Sequence, residues 1–314
     1  MKDALIMGID GGGTKTAFAV TSLDGHIIEY FTYGASNPND IGRQKALSLI
    51  SEGIAKAVNK YPDISTVFCG IAGAATGGHI DFFEKELAMP FPKQKIVINS
   101  DFENIFGICD DCDIAIISGT GSVVCVKQNE KYSMLGGWGN LFDKAGSAYD
   151  IGREAVFVSL EEEELQKEPS FIRVLLQERL KCSNVRSTLS ELYKGGKPYI
   201  ASLADTVFQA YMRKDKKAEE IIDKNAQRLA ELLNSAIKQF NVSPHAVSGG
   251  GLFEHYGEIM LRHISKYTNV KITIPKCPPI YGACRVCRKL FDKNVPDDFE
   301  QNFITSFNNV LIKE

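Results

Sequence analysis

No stretch of the sequence approaches the roughly 20 consecutive apolar residues that a membrane-spanning helix needs. The opening MKDALIMGID carries an acid at position 3, and its apolar run is too short for a secretory leader. Positive charge is not in excess either: 36 Lys and Arg stand against 39 Asp and Glu, for a net charge of −3. That balance argues against nucleic acid or an anionic membrane as the main partner. Together these absences predict a cytoplasmic chain, in a compartment where cysteines stay reduced.

Two common nucleotide signatures are missing as well. In GIDGGGTKTAFAV, Gly8 and Gly13 have the spacing of a P-loop, G-x-x-x-x-G-K-[ST], but Thr14 stands where the lysine belongs. The P-loop and the dinucleotide motif G-x-G-x-x-G both open a helix. Here KTAFAVTSLDGHIIEYF follows, rich in Thr, Val, Phe, Ile and Tyr and broken by Asp24-Gly25, a strong hairpin signal. The order is strand, glycine turn, strand.

The length of 314 residues fits about two domains. In the first half the pattern predicts strands near 4–9, 15–22 and 26–33, a helix over 41–60, a strand at Thr66–Ala72, a helix over 78–88 and a strand at Lys95–Asn99. The second half restarts at Asp113, where DIAIISGTGSVVCV is again strand, glycine turn, strand, and a third strand follows near 131–136. Helices occupy 144 to 240, notably 199–213 and 216–240. A strand at Ala246–Ser248, a helix over 254–266, a strand at Val270–Ile274, a helix over 279–292 and a helical tail from Asp297 complete the chain. The order βββαβα thus occurs twice, with extra helices inserted in the second copy, and predicts α/β layers with mixed sheets. The division falls near Cys112, giving an N-terminal lobe 1–112 and a C-terminal lobe 113–314 with a cleft between them.

Eight cysteines include Cys109-x-x-Cys112 and Cys284-x-x-Cys287, a spacing used by metal sites. Acids flank the first pair and disfavour thiolates. The second pair lies on one side of the helical segment GACRVCRKL, so both pairs read as core or incidental cysteine. The acid run Glu161 to Glu164 reads as a solvated helix face or end.

Each half therefore opens on a glycine-turn hairpin, DGGGTKT at 10–16 and SGTGS at 118–122. Glycines let backbone N–H groups converge on an anion without a Cβ in the way, and Thr and Ser hydroxyls add donors. Gly11, Gly12, Gly13, Thr14, Lys15 and Thr16 form one candidate phosphate cradle; Gly119, Thr120, Gly121 and Ser122 form the other. Two such turns facing each other would clamp a polyphosphate. Asp10, at the lip of the first, can hold Mg²⁺ through water, because Mg²⁺ is bound by few carboxylates plus phosphate.

With SGGG at 248–251 on the duplicated frame, the chain resembles the actin/hexokinase/Hsp70 superfamily of ATP-dependent enzymes, a ribonuclease H-like, two-lobed fold. More narrowly, SNPND (36–40), NSDFENI (99–105), SGTGS, GGWGN (136–140), GSAYDIGREA (146–155), SGGGLF (248–253) and PPIYGA (278–283) resemble the N-acetylglucosamine kinase family, grouped with the BadF/BadG/BcrA/BcrD ATPases. The resemblance spans almost the whole chain. It implies a cytoplasmic homodimer that moves the γ-phosphoryl group of MgATP to a hydroxyl of an N-acetylated amino sugar, N-acetylglucosamine or N-acetylmuramic acid. By the same resemblance Asp101 is the base that accepts the sugar hydroxyl proton and touches the sugar. A helix N-cap is the structural alternative for an acid there. Gly249, Gly250 and Gly251 would seat adenosine. Asn37, Gly136, Gly137 and Trp138 would contact the sugar, although Asn before Pro is commonplace in turns and the one tryptophan could equally pack.

One departure stands out. The family reads Gly-Asp-Glu-Gly-Ser where this chain has Asp143-Lys144-Ala145-Gly146-Ser147. Either Asp143 reaches the substrate or Lys144 faces it, and a cation would suit a sugar bearing a carboxylate. Two rival readings stay open. One is an ATPase that activates a dehydratase or reductase through an iron–sulfur cluster, against which GGWGN and SNPND count. The other is a non-catalytic sugar-binding protein of the same fold.

Overall fold

The structure, a computed structural model, describes residues 4–75, 77–129 and 131–311. In a first unit, β1 (Leu5–Gly11), β2 (Lys15–Ser22) and β3 (Ile27–Gly34) form an antiparallel meander. β4 (Ile64–Ile71) and β5 (Lys95–Ser100) add in parallel beyond β1, for the order β3-β2-β1-β4-β5. The helices α1 (Pro38–Ile41), α2 (Arg43–Lys60), α3 (His79–Ala88) and α4 (Phe102–Phe106) join or follow these strands. A second unit repeats the plan. β6 (Ile114–Ser118), β7 (Ser122–Gln128) and β8 (Lys131–Gly136) make the meander, β9 (His245–Gly249) and β10 (Lys271–Thr273) pair in parallel, and the order is β10-β9-β6-β7-β8. Both sheets have the same strand order, so the duplicated βββαβα frame is present. Between β8 and β9 lie α5 (Ala148–Glu164), α6 (Phe171–Leu180), a 3₁₀ turn (Val185–Thr188), α7 (Leu189–Ser202), α8 (Ala204–Met212) and α9 (Lys216–Phe240). The helix expected over 199–213 is divided at Leu203. α10 (Gly251–Ile264) links β9 to β10, and α11 (Pro279–Asp292) and α12 (Phe299–Leu311) close the chain.

β1 is flanked on both edges and covered on both faces, which is why LIMGI is continuously apolar rather than alternating. Met7 and Ile9 face a core completed by Ile50 and Ile54 of α2 and Phe83 of α3. Ile6 faces the other side, against Ile280, Tyr281, Cys284 and Cys287 of α11 and Phe299 and Phe303 of α12. Gly8 permits that second layer, because a Cβ on it would stand 2.6 Å from the Cys284 backbone nitrogen. The compact units are accordingly Met1–Asp110 with Pro275–Glu314, and Asp111–Ile274. The last two helices thus sit with the N-terminal sheet, not with the 113–314 lobe that counting elements along the chain suggested. Asp110 reinforces the attachment through Arg285 and Lys289 of α11, and the Arg285 guanidinium holds its carboxyl down at about 2. Cys284 and Cys287 are core residues as read, and burial pushes the Cys287 thiol up to about 12.

In the second unit α9 carries its apolar residues at helical spacing, with Ile221, Ile222, Ala226, Leu229, Ala230 and Leu233 buried. The side chain of Asp215 caps it by accepting from the Ala218 N–H. The acid run is only partly solvated. Glu162 is buried and accepts from the Ser170 N–H at 3.0 Å, and Glu163 accepts from the Val185 N–H at 2.7 Å. These two carboxylates hold the loops after α5 and α6, a role that periodicity does not reveal.

Candidate active site

In the first unit the glycine turn closes the β1–β2 hairpin. Gly11 pairs with Thr16, and the Gly12 N–H donates to the Lys15 carbonyl at 2.9 Å. The Gly11 and Gly12 carbonyls accept from the Ala72 N–H at 2.7 Å and the Ser36 N–H at 3.0 Å. Gly13, Thr14 and Lys15 are exposed. Thr16 differs from the sequence expectation. It is buried, and its hydroxyl donates to the Gly34 carbonyl at 2.8 Å, so its proton braces the sheet instead of facing an anion.

Asp10 is half-buried at the end of β1. The Asn104 side-chain amide donates to its Oδ1 at 2.6 Å and to the Gly70 carbonyl at 3.2 Å. The backbone N–H of Asn104 donates to the Asp101 carbonyl at 3.0 Å. One buried asparagine therefore connects the acid at the turn lip with the turn that carries Asp101. Sequence reasoning missed Asn104, which stands beside Glu103 between the apolar Phe102 and Ile105.

Asp101 occupies the N-cap position of α4 and makes no side-chain cap hydrogen bond. Its φ of −58° and ψ of −20° are helical, whereas a capping side chain works from extended backbone. The capping alternative is thereby removed. The Ser100 hydroxyl donates to Asp101 Oδ1 at 3.1 Å. Burial raises the Asp101 carboxyl above the usual carboxylate range, opposed in part by that hydroxyl and by the Asp101 and Phe102 N–H groups. Asn37 does act as a cap. Its Oδ1 accepts from the Asn39 N–H at 3.0 Å, and its Nδ2 donates to Asp40 at 2.8 Å.

In the second unit the SGTGS turn joins β6 to β7, and the Gly119 N–H donates to the Gly121 carbonyl at 2.9 Å. Thr120 is exposed and Ser122 buried. A chain of contacts behind the turn holds it. The Ser118 hydroxyl donates to the Gly146 carbonyl at 2.6 Å, and the Gly146 N–H donates to Asn225 Oδ1 at 2.6 Å. Asn225 is the polar residue within the apolar stripe of α9, and this is its use. Gly249 ends β9 opposite Ile117. Gly250 follows with φ 90° and ψ 155°, and a Cβ there would stand 2.5 Å from the Ser118 carbonyl oxygen. The Gly251 nitrogen lies 3.5 Å from where a Cβ of Gly119 would be. SGTGS and SGGG, far apart in the chain, thus adjoin. No side chain caps the start of α10.

Gly119, Thr120, Gly121, Ser122 and Gly250 line a depression of about 360 Å³ with Gly137, Asp143 and Lys197. Asp143 Oδ2 accepts from the Gly139 N–H at 3.0 Å. Lys144 is exposed and outside that lining, so of the two residues left open Asp143 is the one beside the glycine turn. Gly136 and Gly137 both have φ 73°, and Trp138 after them is 59% exposed, with the Arg228 guanidinium 5.9 Å from its ring centroid. Trp138 is therefore not a core residue.

The profile of the BadF/BadG/BcrA/BcrD ATPase family matches residues 7–284. The chain is 27% identical over 303 residues to the N-acetylmuramic acid/N-acetylglucosamine kinase of Clostridium acetobutylicum, covering 91% of this chain and 99% of that one. It is 26% identical over 326 residues to the N-acetyl-D-glucosamine kinase of Dictyostelium discoideum, covering 90% and 97% respectively. Among solved structures, a candidate N-acetylglucosamine kinase of Chromobacterium violaceum matches with a TM-score of 0.69 at 18% identity, over 90% of this chain and 99% of that one, a likeness of fold.

Proposed function

The chain belongs to the BadF/BadG/BcrA/BcrD ATPase family, and we propose that within it the protein is an ATP-dependent kinase of N-acetylated amino sugars, acting on N-acetylglucosamine, N-acetylmuramic acid or both. The names of the two relatives that match it nearly end to end support the substrate class. The observation that carries the kinase reading is Asp101. It is a half-buried carboxylate with a raised pKa, and it makes no cap bond to the helix it begins. Such a group is suited to take a proton from an alcohol.

The residues present fit MgATP. The Asp10 carboxylate, oriented by Asn104, is the hard oxygen ligand that Mg²⁺ prefers, directly or through water. Gly11, Gly12, Gly13, Thr14 and Lys15 offer one phosphate cradle, Gly119 to Ser122 the other, and Gly249 to Gly251 the adenosine seat. Bound MgATP supplies the phosphoryl group and a cation that offsets its charge. Asp101 accepts the proton of the sugar hydroxyl as that oxygen attacks the γ-phosphorus, and the bond from that phosphorus to the bridging oxygen breaks, with ADP as the leaving group. Asn37, Gly136, Gly137, Trp138 and Asp143 orient the sugar. Action in the cytoplasm and as a homodimer completes the reading. Among the described residues no helix is long and apolar enough to cross a membrane. The iron–sulfur activator reading is weakened, because Cys284 and Cys287 are fully buried in the core and burial raises both thiols.

The test is ADP release from MgATP across N-acetylglucosamine, N-acetylmuramic acid, N-acetylmannosamine, glucosamine and glucose, with Asp101→Asn as control. Turnover on one or two N-acetyl sugars that the control abolishes supports the kinase. ADP release indifferent to every sugar would overturn it.

A further inference from the structure

Lys197 belongs to no motif singled out in the sequence. It lies in LYKGGKPYI, within α7, where the helix is broken at Gly196. Gly196 has φ 62° and ψ −158°, a backbone that glycine adopts at little cost and other residues resist. The break redirects the chain. Lys197 starts the second half of the helix, and Pro198 follows where its fixed φ is tolerated. The lysine side chain is half-buried.

Its position is specific. Lys197 Nζ lies 3.3 Å from the point a Cβ would take on Gly121, the second glycine of SGTGS. It lines the same depression as Gly119, Thr120, Ser122 and Gly250. The acid in that lining, Asp143, is engaged by the Gly139 N–H. None of the ion pairs among the described residues involves Lys197. A lysine ammonium is a compact charge with three donors, suited to phosphate oxygens. A glycine turn that bares its backbone beside such a cation offers two kinds of donor to one anion.

We propose that Lys197 is a phosphate ligand of the second glycine turn, its ammonium binding the phosphate chain of the nucleotide. This rests on the nucleotide reading of the site given above. Lys197 acts on binding, through the charge of the phosphates, and not on the adenosine.

The experiment is calorimetric titration of the full chain, without sugar, with MgATP, ADP and adenosine. Wild type, Lys197→Ala and Lys197→Arg are compared, with thermal unfolding of each protein alone. The expected result is a loss on the order of tenfold to a hundredfold in MgATP affinity for Lys197→Ala, the scale of a hydrogen bond to a charged group. ADP should weaken as well, adenosine should not, and Lys197→Arg should recover part of the loss. The wild-type MgATP affinity should also fall more steeply with salt than that of Lys197→Ala. If wild type binds MgATP and Lys197→Ala binds it equally well, the role of Lys197 is overturned and the nucleotide site stands. Equal weakening of MgATP and adenosine overturns it too, since a folding role would act that way. If wild type binds none of the three, both this inference and the nucleotide reading fall.

Discussion

Asn104 donates its side-chain amide to the carboxylate of Asp10 across 2.6 Å, deep under the first glycine turn. The orientation of the amide is dictated by its neighbours, because Asp10 Oδ1 and the Gly70 carbonyl both need a donor. The Asn104 Oδ1 is left buried without a donor. A buried acceptor left unmade costs about 1–3 kcal/mol. The arrangement therefore favours the orientation of Asp10 over stability.

Deleting that amide should consequently cost less than its burial suggests. Asn104→Ala removes two hydrogen bonds together with the orphan carbonyl, for a net loss of about 1 kcal/mol, or a few degrees in Tm. Asn104→Asp has the same shape but sets a second carboxylate against Asp10, and it should lower Tm further. Both variants should reduce kcat/KM for MgATP by about tenfold or more, the usual effect of losing a group that orients a metal ligand. Thermal unfolding and initial rates at neutral pH check this. A Tm for Asn104→Asp above that of Asn104→Ala would contradict the role given to the amide.

The two glycines that open α10 should respond in opposite directions. At Gly250 a side chain would need φ 90° and would meet the Ser118 carbonyl at 2.5 Å, and both are backbone constraints that do not yield. Gly250→Ala should destabilise by about 3 kcal/mol. At Gly251 the φ is not left-handed and nothing lies within 4 Å. Gly251→Ala should be neutral to stabilising, by about 0.5 kcal/mol, since alanine restricts the unfolded chain more than glycine does. Denaturant midpoints of the two variants measure the contrast.

Asp143 and Lys144 should separate in the same way. Asp143 closes the Gly139 loop beside the glycine turn, whereas Lys144 is exposed outside the depression. Asp143→Ala is expected to lower kcat/KM for the sugar by at least an order of magnitude, on the scale of a lost charged hydrogen bond of about 2 kcal/mol. Lys144→Ala should leave the preference between N-acetylglucosamine and N-acetylmuramic acid where it was. A shift of that preference toward the neutral sugar would return Lys144 to the site.

Much of this organisation was legible in the sequence, because period and punctuation are local. The hairpin around GGGT, its counterpart at SGTG and the parallel strands after them follow from alternation and glycine placement. The hidden parts depend on contacts between distant segments. Nothing near Gly8 announces that α11 lies on β1. The stripe of α9 shows that Asn225 is buried, but not that it holds Gly146. Thr16 looked like a phosphate donor from its place in the motif, yet strand alternation past the turn points it inward. Lys197 is aimed by a break at Gly196 that composition alone marks only as a weak helix.

Asp101 gives the prediction with the clearest sign. Burial raises its pKa in the folded chain above the ordinary 3.8. A carboxyl with a raised folded value holds its proton more tightly when folded than when unfolded. Its contribution to stability is therefore fully present below the unfolded value and is lost as pH rises through the folded one. At neutral pH, well above the ordinary value, the desolvated group works against folding. Asp101→Asn keeps the shape and the acceptor oxygen but removes the charge, so it should raise Tm at neutral pH, by an amount that shrinks as the pH falls below the folded value. The same substitution should cut turnover by about 10²–10⁴-fold, the usual contribution of a general base. In wild type the acid limb of kcat/KM should lie above 3.8, because the base works only when ionised. Parallel measurement of Tm and rate against pH tests all three. A variant that is both less stable at neutral pH and fully active would make Asp101 a structural residue, and the proton would then have to leave by another group.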